Sequence, residues 1–461
     1  MAHVQKRVRQ SGATTYLVRW TTPDGRERTK GGFRTRKAAK AYATRAENGK
    51  LTGREYDPKA GGVTFREAAQ EWLDSRHDLK PSTRDGYRYA LAPAAERHGH
   101  GKTLGIDAVF GGYPVNAITR DGISAWVRQM TEAGKKPSTV RHAYFVVRMV
   151  LGQAVADGRL PSNPADYVKL PTEHSASGNT PGVVDDPEQF LTAEQVDALV
   201  AATPWPYNVY VHVAAWAGPR AAELTGLQVG DVDLPAARNR PGALSIERTT
   251  RVIGGELTHL TPKTRGSRRR VPLTVETTAL LRDYLAEHPN ADDPTAPLFP
   301  AMRLTATRPT GKRATDANGK ADDTGRKHVA DRQAAALAAL TVPEAEARLV
   351  LDWSEPLRHP TFYKAVYRPA VLRANRLDRH AGLSAALKFH SLRHTYVSLC
   401  VAAGIEPLKI SRFVGHAKVT TTLGIYTHLF NTDDHADAMA ALGAMSRAGN
   451  ASNVTQLRRR G

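Results

Sequence analysis

Between residues 14 and 33 the apolar positions fall in short alternating runs. TTYLVRW and RERTKGGF flank the turn PDG and predict two paired strands. From Thr35 the segment TRKAAKAYATRAENGK predicts a helix that stops near Gly53. From Val63 the spacing becomes helical. Thr64 and Glu67 form a capping box ahead of AAQEWLDS, and Pro81 with Ser82 marks the next start. TRDGISAWVRQMTEAG and PSTVRHAYFVVRMVLGQAVADG complete four helices by about residue 158. Trp126, Val127 and Met130, and Val140, Tyr144, Val147 and Leu151, recur at helical spacing and are read as core.

The pattern then breaks. Residues 171–188 are rich in Pro, Gly, Ser and Asp and read as a flexible linker. A second capping box, Thr192 to Gln195, opens a further helical domain containing one β segment. In it ALSIERTTRVI, ELTHLTPK and SRRRVPL are strand-like runs, and helices return from Val275. Residues 301–357 look unlike their surroundings. TATRPTGKRATDANGKADDTGRKH reads as a mobile polar excursion, and AALAALTVPEAEARLVL as a helix or two. The expected organisation is a small sheet-plus-helix module at 1–60, a helical domain at 63–170, the linker at 171–188, a larger domain at 189–445 carrying the 301–357 insertion, and a flexible basic tail at 446–461.

Charge changes this picture. The 461 residues carry a formal charge of +20. Residues 1–60 alone hold 15 Lys and Arg against 5 Asp and Glu, half of that excess. Such a surface attracts polyanions, nucleic acid above all, although a ribosomal or membrane-surface protein is equally basic. In the N-terminal module Lys30, Arg34, Arg36 and Lys37 are candidate DNA contacts; a merely soluble appendage is the plainer reading. Cys400 is the only cysteine, which excludes an intramolecular disulfide and a Cys-based metal site. MAHVQKRVRQ is basic and lacks an apolar core, so no secretory signal is expected. No run is apolar enough for a membrane span, and a cytoplasmic, nucleoid-associated protein is expected.

Four clusters in the second half could carry chemistry. In AGPRAAELTGL, Arg220 and Glu223 stand at i,i+3, the spacing of an ordinary helix ion pair. In LTPKTRGSRRRVPL, Lys263 ends a strand beside a tight turn. Arg265, Arg268, Arg269 and Arg270 make that hairpin a candidate for DNA backbone contact. In FHSLRHTYVSLCVAAGI, His390 and Arg393 share a helical face, and His390 with His394 imitates a zinc pair. Ser391 occupies the position where a zinc-protease signature needs glutamate, so no metal is expected. The fourth cluster is GHAKVTTTLGIYTHL, with His416 and Tyr426; an aromatic there is by itself more ordinary as core filler.

Together these clusters resemble the tyrosine recombinases, in particular the phage-type integrases. AGPRAAELTGL matches that family's TGxRxxELxxL, HSLRHTYVS its HDLRHTxAS box, and VGHAKVTTTLGIYTH its LGHxxxxTTxxYxH stretch. Pro219 and Ser391 depart from the pattern, but neither removes a catalytic side chain. The resemblance implies a mainly α multidomain protein with small β elements: an arm-binding module, a helical SAM-like core-binding domain and an α-rich catalytic domain with a β-hairpin sheet. It implies that Arg220 and Arg393 clamp a DNA phosphate, that His416 adds a hydrogen bond, and that Tyr426 attacks phosphorus. His390 would assist as base, with the cationic pocket favouring phenolate. Lys263 would protonate the leaving oxygen and Glu223 brace the pocket. No cofactor is implied. The implied partners are double-stranded DNA with core-type and arm-type sites, three further copies of the chain in a tetramer, a directionality factor and a host DNA-bending protein.

A type IB topoisomerase shares the tyrosine chemistry but has no use for an arm module. A non-catalytic DNA-binding regulator would have lost at least one of the catalytic residues. DDHADAMAALGAM, 433–445, reads as a small amphipathic helix suited to docking on a neighbouring protomer. Deleting 433–461 should leave single-site DNA binding intact and weaken synapsis in a gel-shift assay; unchanged recombination would refute the docking role.

Overall fold

The computed structural model describes residues 2–8, 12–21, 25–51, 60–97, 101–172, 187–253, 255–260, 267–305 and 323–426. The chain forms two compact units, Met1–Pro181 and Gly182–Gly461.

The first unit opens with a three-stranded antiparallel sheet, His3–Val8, Thr14–Thr21 and Glu27–Phe33, in sequential order. Only the second and third strands are expected from the sequence. The first, HVQKRV, is charged and exposed along most of its length, so it lacks the alternation that marks a half-buried strand. The helix Arg36–Leu51 follows, and the Thr35 hydroxyl accepts the Ala38 amide at its start. Val18, Ala39 and Ala43 are buried between sheet and helix. Lys30 lies with its ammonium 4.5 Å over the Tyr42 ring, whereas Arg34, Arg36 and Lys37 are exposed.

The helices Phe65–Ser75, Pro81–Leu91, Arg120–Glu132 and Pro137–Ala156 form a separate core in the same unit. The Thr64–Glu67 capping box is closed in both directions. All seven residues read as core from their spacing are buried.

The second unit packs helices around two small sheets and a hairpin. Ala193–Ala201 starts at the closed capping box of Thr192 and Gln195, and Tyr207–Ala217 runs through the middle of the core. The run read as one strand, ALSIERTTRVI, is two. Ala243–Ile246 pairs with Arg269–Pro272, while Thr249–Ile253 turns back on Glu256–Leu260. Arg248 marks the break: its guanidinium binds the Asp231 carboxylate and reaches the Gly226 carbonyl, turning the chain from one sheet to the other.

The insertion is more closely built into the fold than its composition suggests. Leu349–Pro356, whose first three residues end the run read as a helix or two, is a strand antiparallel to Pro300–Leu304. Helices Asp323–Ala339 and Val342–Ala347 precede it, so the polar excursion is helical from Asp323; residues 306–322 lie outside the described residues. Buried Arg373 ties these helices to the body, its guanidinium donating to the carbonyls of Ala202 (2.7 Å), Leu337 (2.7 Å) and Leu340 (2.8 Å). Arg373→Met would strand the Ala202 and Leu337 carbonyls, each costing about 1–3 kcal/mol if buried without a partner, while Leu340 O keeps its bond from Arg376 Nη2 at 2.9 Å. We expect a loss of at least about 2 kcal/mol in urea unfolding, with faster hydrogen exchange across 329–347.

Candidate active site

The site is assembled where two helices end. Tyr207–Ala217 stops at Gly218, which holds φ +66°, and Pro407–Val414 stops at Gly415, φ +68°. Both are left-handed positions that favour glycine. Both are also crowded: a Cβ on Gly218 would fall 2.3 Å from the Tyr396 ring, and one on Gly415 would fall 2.9 Å from Arg269 Nη1. The carbonyls freed at these ends are taken up by arginines. Arg393 donates to Gly218 O at 2.7 Å and to Val414 O; Arg269 donates to Phe413 O, and Arg220 to Gly415 O at 3.4 Å.

Arg220 heads the short helix Ala221–Leu224, and the Glu223 carboxylate accepts from its backbone amide (2.8 Å) and from its Nη1 (2.9 Å). This is not the solvated pair that i,i+3 spacing suggests, because Glu223 is only 2 % exposed. Its second partner is Arg269, with Nη2 at 2.8 Å and Nη1 at 3.1 Å. Burial would raise the carboxyl pKa. The Arg269 hydrogen bonds and charge, with Arg220 behind them, outweigh it and bring the group down to about 2.

Arg269 was expected to touch DNA, and the structure corrects this. Its side chain is 5 % exposed and its guanidinium is engaged by Glu223, Ser267 O and Phe413 O. Strand alternation explains the difference: Arg268 and Arg270 point outward and are exposed, paired with Glu247 and Asp233, while Arg269 points inward. Lys263 and Arg265 lie outside the described residues.

His390 immediately precedes the helix Ser391–Ala402, and Arg393 sits on its first turn. Solvent reaches the His390 ring, yet loss of hydration, followed by the charges of Arg393 and Arg220, lowers its pKa. Arg393 is 3 % exposed. Burial, then Arg220, pulls its guanidinium down to about 9 against the opposing pull of Glu223. His416 bonds through Nδ1 to the hydroxyl of buried Thr422 at 2.8 Å, which leaves Nε2 for another partner. Burial and the three neighbouring arginines bring His416 to about 4.

Tyr426 ends the helix Val419–Tyr426 and is 1 % exposed. Its hydroxyl lies 2.7 Å from His394 Nδ1. The cationic pocket does pull the phenol towards phenolate, through Arg393 and then Arg220, but it is not the larger influence. Burial raises the phenol pKa to about 12, more than Arg393 and Arg220 can lower it. The mutual electrostatic influence of Arg220, His390, Arg393, His416 and Tyr426 places the five described side chains of the expected catalytic set in one neighbourhood.

Three contributors escaped the sequence reading. His394 entered only as half of a zinc pair, but its Nδ1 is occupied by the tyrosine. Thr422 was not singled out within GHAKVTTTLGIYTHL. Arg269 was hidden in a run of like residues, although alternation along the strand would have singled it out.

A family model described as the phage integrase family matches residues 359–432, which include the HSLRHTYVS box and Tyr426. The prophage phiRv2 integrase of Mycobacterium tuberculosis is 26% identical over 305 residues, covering 64% of this chain and 72% of that protein. The integrase of Mycobacterium phage D29 is 28% identical over 236 residues, 51% of this chain and 55% of its own. Among solved structures, a Tn1549 transposon integrase in complex with transposon right-end DNA superposes with a TM-score of 0.52 at 16% identity, over 83% of this chain and 100% of that one.

The Glu223 pKa shift makes a signed prediction. A carboxyl held near 2 in the fold, against an ordinary 4.5, contributes about 3 kcal/mol of stability above pH 4.5. That contribution is lost as pH falls from 4.5 towards 2. Glu223→Gln should therefore be destabilised by about 3–5 kcal/mol at pH 7. Its deficit in urea unfolding should narrow as pH falls below 4.5, and a deficit that stays constant would contradict the assignment.

Proposed function

We propose that the chain belongs to the phage integrase family of tyrosine recombinases, whose model matches residues 359–432, and from that premise we assign the roles of its residues. It is a site-specific integrase, an enzyme that cuts and rejoins DNA to insert or excise a mobile element. The observation that carries our assignment of roles is the convergence of two guanidiniums, Arg220 and Arg393, with His416 and a buried tyrosine hydroxyl.

A DNA phosphodiester carries one negative charge, and attack at phosphorus adds charge to its equatorial oxygens. Arg220 and Arg393 receive those oxygens, and His416 donates through Nε2 while Thr422 fixes its ring. Arg220 is 39 % exposed at its side chain, so it meets the phosphate first; Arg393 waits beneath it. The arginines are held in place before DNA arrives, so little reorganisation is needed at the moment of reaction, and charge stabilisation of this kind supplies several kcal/mol. Tyr426 Oη attacks, forming a 3′-phosphotyrosyl bond, and the 5′-oxygen departs with a proton from Lys263. A 5′-hydroxyl from a second duplex then reverses the step with exchanged partners. Exchange on two duplexes needs four active tyrosines, hence a tetramer on core-type sites. The basic N-terminal module, with Arg34, Arg36 and Lys37 exposed, suits arm-type DNA. A directionality factor and a host bending protein would act on the DNA between the two kinds of site.

The test uses a nicked duplex carrying the junction sequence of the integrated element. Wild type should accumulate a covalent protein–DNA adduct and Tyr426→Phe none; an adduct in Tyr426→Phe refutes the nucleophile. Arg220→Ala should keep the fold and slow adduct formation by about 10²–10³-fold.

A further inference from the structure

We propose that His394 takes the proton from Tyr426 as the tyrosine attacks, the role first expected of His390. This rests on Tyr426 being the nucleophile. The partner of the tyrosine hydroxyl is His394 Nδ1, at 2.7 Å, with both side chains buried. His390 lies one turn earlier on the same helix, at the solvent side, its ring centroid 4.8 Å from that of His394. In the tautomer proposed here the phenol donates, Nδ1 accepts and the ring proton resides on Nε2.

The surroundings suit a base that acts only on demand. From its own helix His394 faces His390 and Arg393; the helix Val419–Tyr426 contributes Tyr426, and the segment before Ala193 contributes the uncharged Phe190 ring, 6.3 Å away. Ile410 and Val414 close the cluster with Cys400, whose thiol burial pushes up to about 11. Burial, then His390 and Arg393, hold His394 at about 4, so it is neutral and free to accept at physiological pH. Opposite it, the phenol is held near 12, and transfer in the resting protein is strongly uphill. A bound phosphodiester changes the balance. Its charge is set against Arg220 and Arg393, cancelling part of the positive field that depresses His394. The proton moves only once a phosphate is in place.

The step balances. The Oη–P bond forms as the Oη–H bond breaks, with the proton passing to His394 Nδ1. The P–O5′ bond breaks with its electron pair leaving on O5′, which takes a proton from the general acid. In resealing, the His394 imidazolium returns its proton to the departing phenolate.

The experiment measures covalent-adduct formation by the intact chain on the nicked junction duplex, with Tyr426→Phe run alongside. His394→Asn keeps an acceptor for the hydroxyl but cannot take its proton. Both it and His394→Ala should be slowed by about 10²–10⁴-fold, with melting curves that report retained folding. Added imidazoles should rescue His394→Ala in order of their basicity. A 5′-bridging phosphorothiolate, whose sulfur leaves without protonation, should not restore either variant. A wild-type rate in His394→Asn, rescue indifferent to imidazole basicity, or restoration by the phosphorothiolate would each overturn the proposal. An adduct in Tyr426→Phe would overturn the nucleophile itself, so the two failures are distinguishable.

Discussion

The buried contact between Glu223 and Arg269 is the joint on which the site depends. One carboxylate, almost sealed from water, accepts from the strand Arg269–Pro272, from the Arg220 backbone and from the Arg220 side chain. Arg269 in turn reaches Phe413 O, at the end of the helix that leads to Gly415 and His416. Two chain segments far apart in sequence, and the strand paired with Ala243–Ile246, are thereby fixed around a single anion. Replacing the pair by apolar residues would save desolvation, as it often does for buried ion pairs. It would also release the first arginine and the histidine turn from each other, so the contact positions the site as well as stabilising it.

The electrostatic problem it addresses is severe. Arg220, Arg269 and Arg393 lie close together at the edge of a dry interior, with one carboxylate among them. Helix C-termini supply much of the remaining compensation. Their unpaired carbonyls carry the negative end of the helix dipole, and arginine N–H groups complete them. Because Gly218 and Gly415 both adopt left-handed backbone, each helix stops abruptly and points its last carbonyls into the site. The result is positive charge held by hydrogen bonds to neutral acceptors, and therefore not neutralised. Such charge is available to a phosphate.

How much of this is legible in the sequence follows from how each feature is encoded. Helices with closed capping boxes, at Thr64 and Thr192, announce themselves locally, as do the buried faces around Trp126 and Tyr144. The side chains proposed as catalytic, set in fixed short motifs, are legible in the same way. What escapes is whatever depends on partners distant in sequence. The strand His3–Val8 has no apolar alternation, and Leu349–Pro356 is a strand only because Pro300–Leu304 lies beside it. Arg269 cannot be told from Arg268 or Arg270 by composition, since its role comes from the face of the strand that it occupies. Protonation is the hardest to foresee. Counting arginines near Tyr426 predicts a depressed phenol pKa, but the count omits burial, which here has the larger effect and the opposite sign.

That opposition bears on the control of a dangerous reaction. A tyrosine already ionised beside two guanidiniums would be a ready nucleophile for any phosphate that drifted in. Tyr426 is instead neutral, buried and hydrogen-bonded, and the histidines around it are neutral as well. On the proposed mechanism, reactivity requires a ligand that both fills the arginine clamp and supplies negative charge, and correctly seated DNA does both at once. The low dielectric that raises the cost of ionising the phenol also strengthens every interaction with the incoming phosphate. The same burial that silences the proposed nucleophile in the free protein thus sharpens its dependence on the substrate.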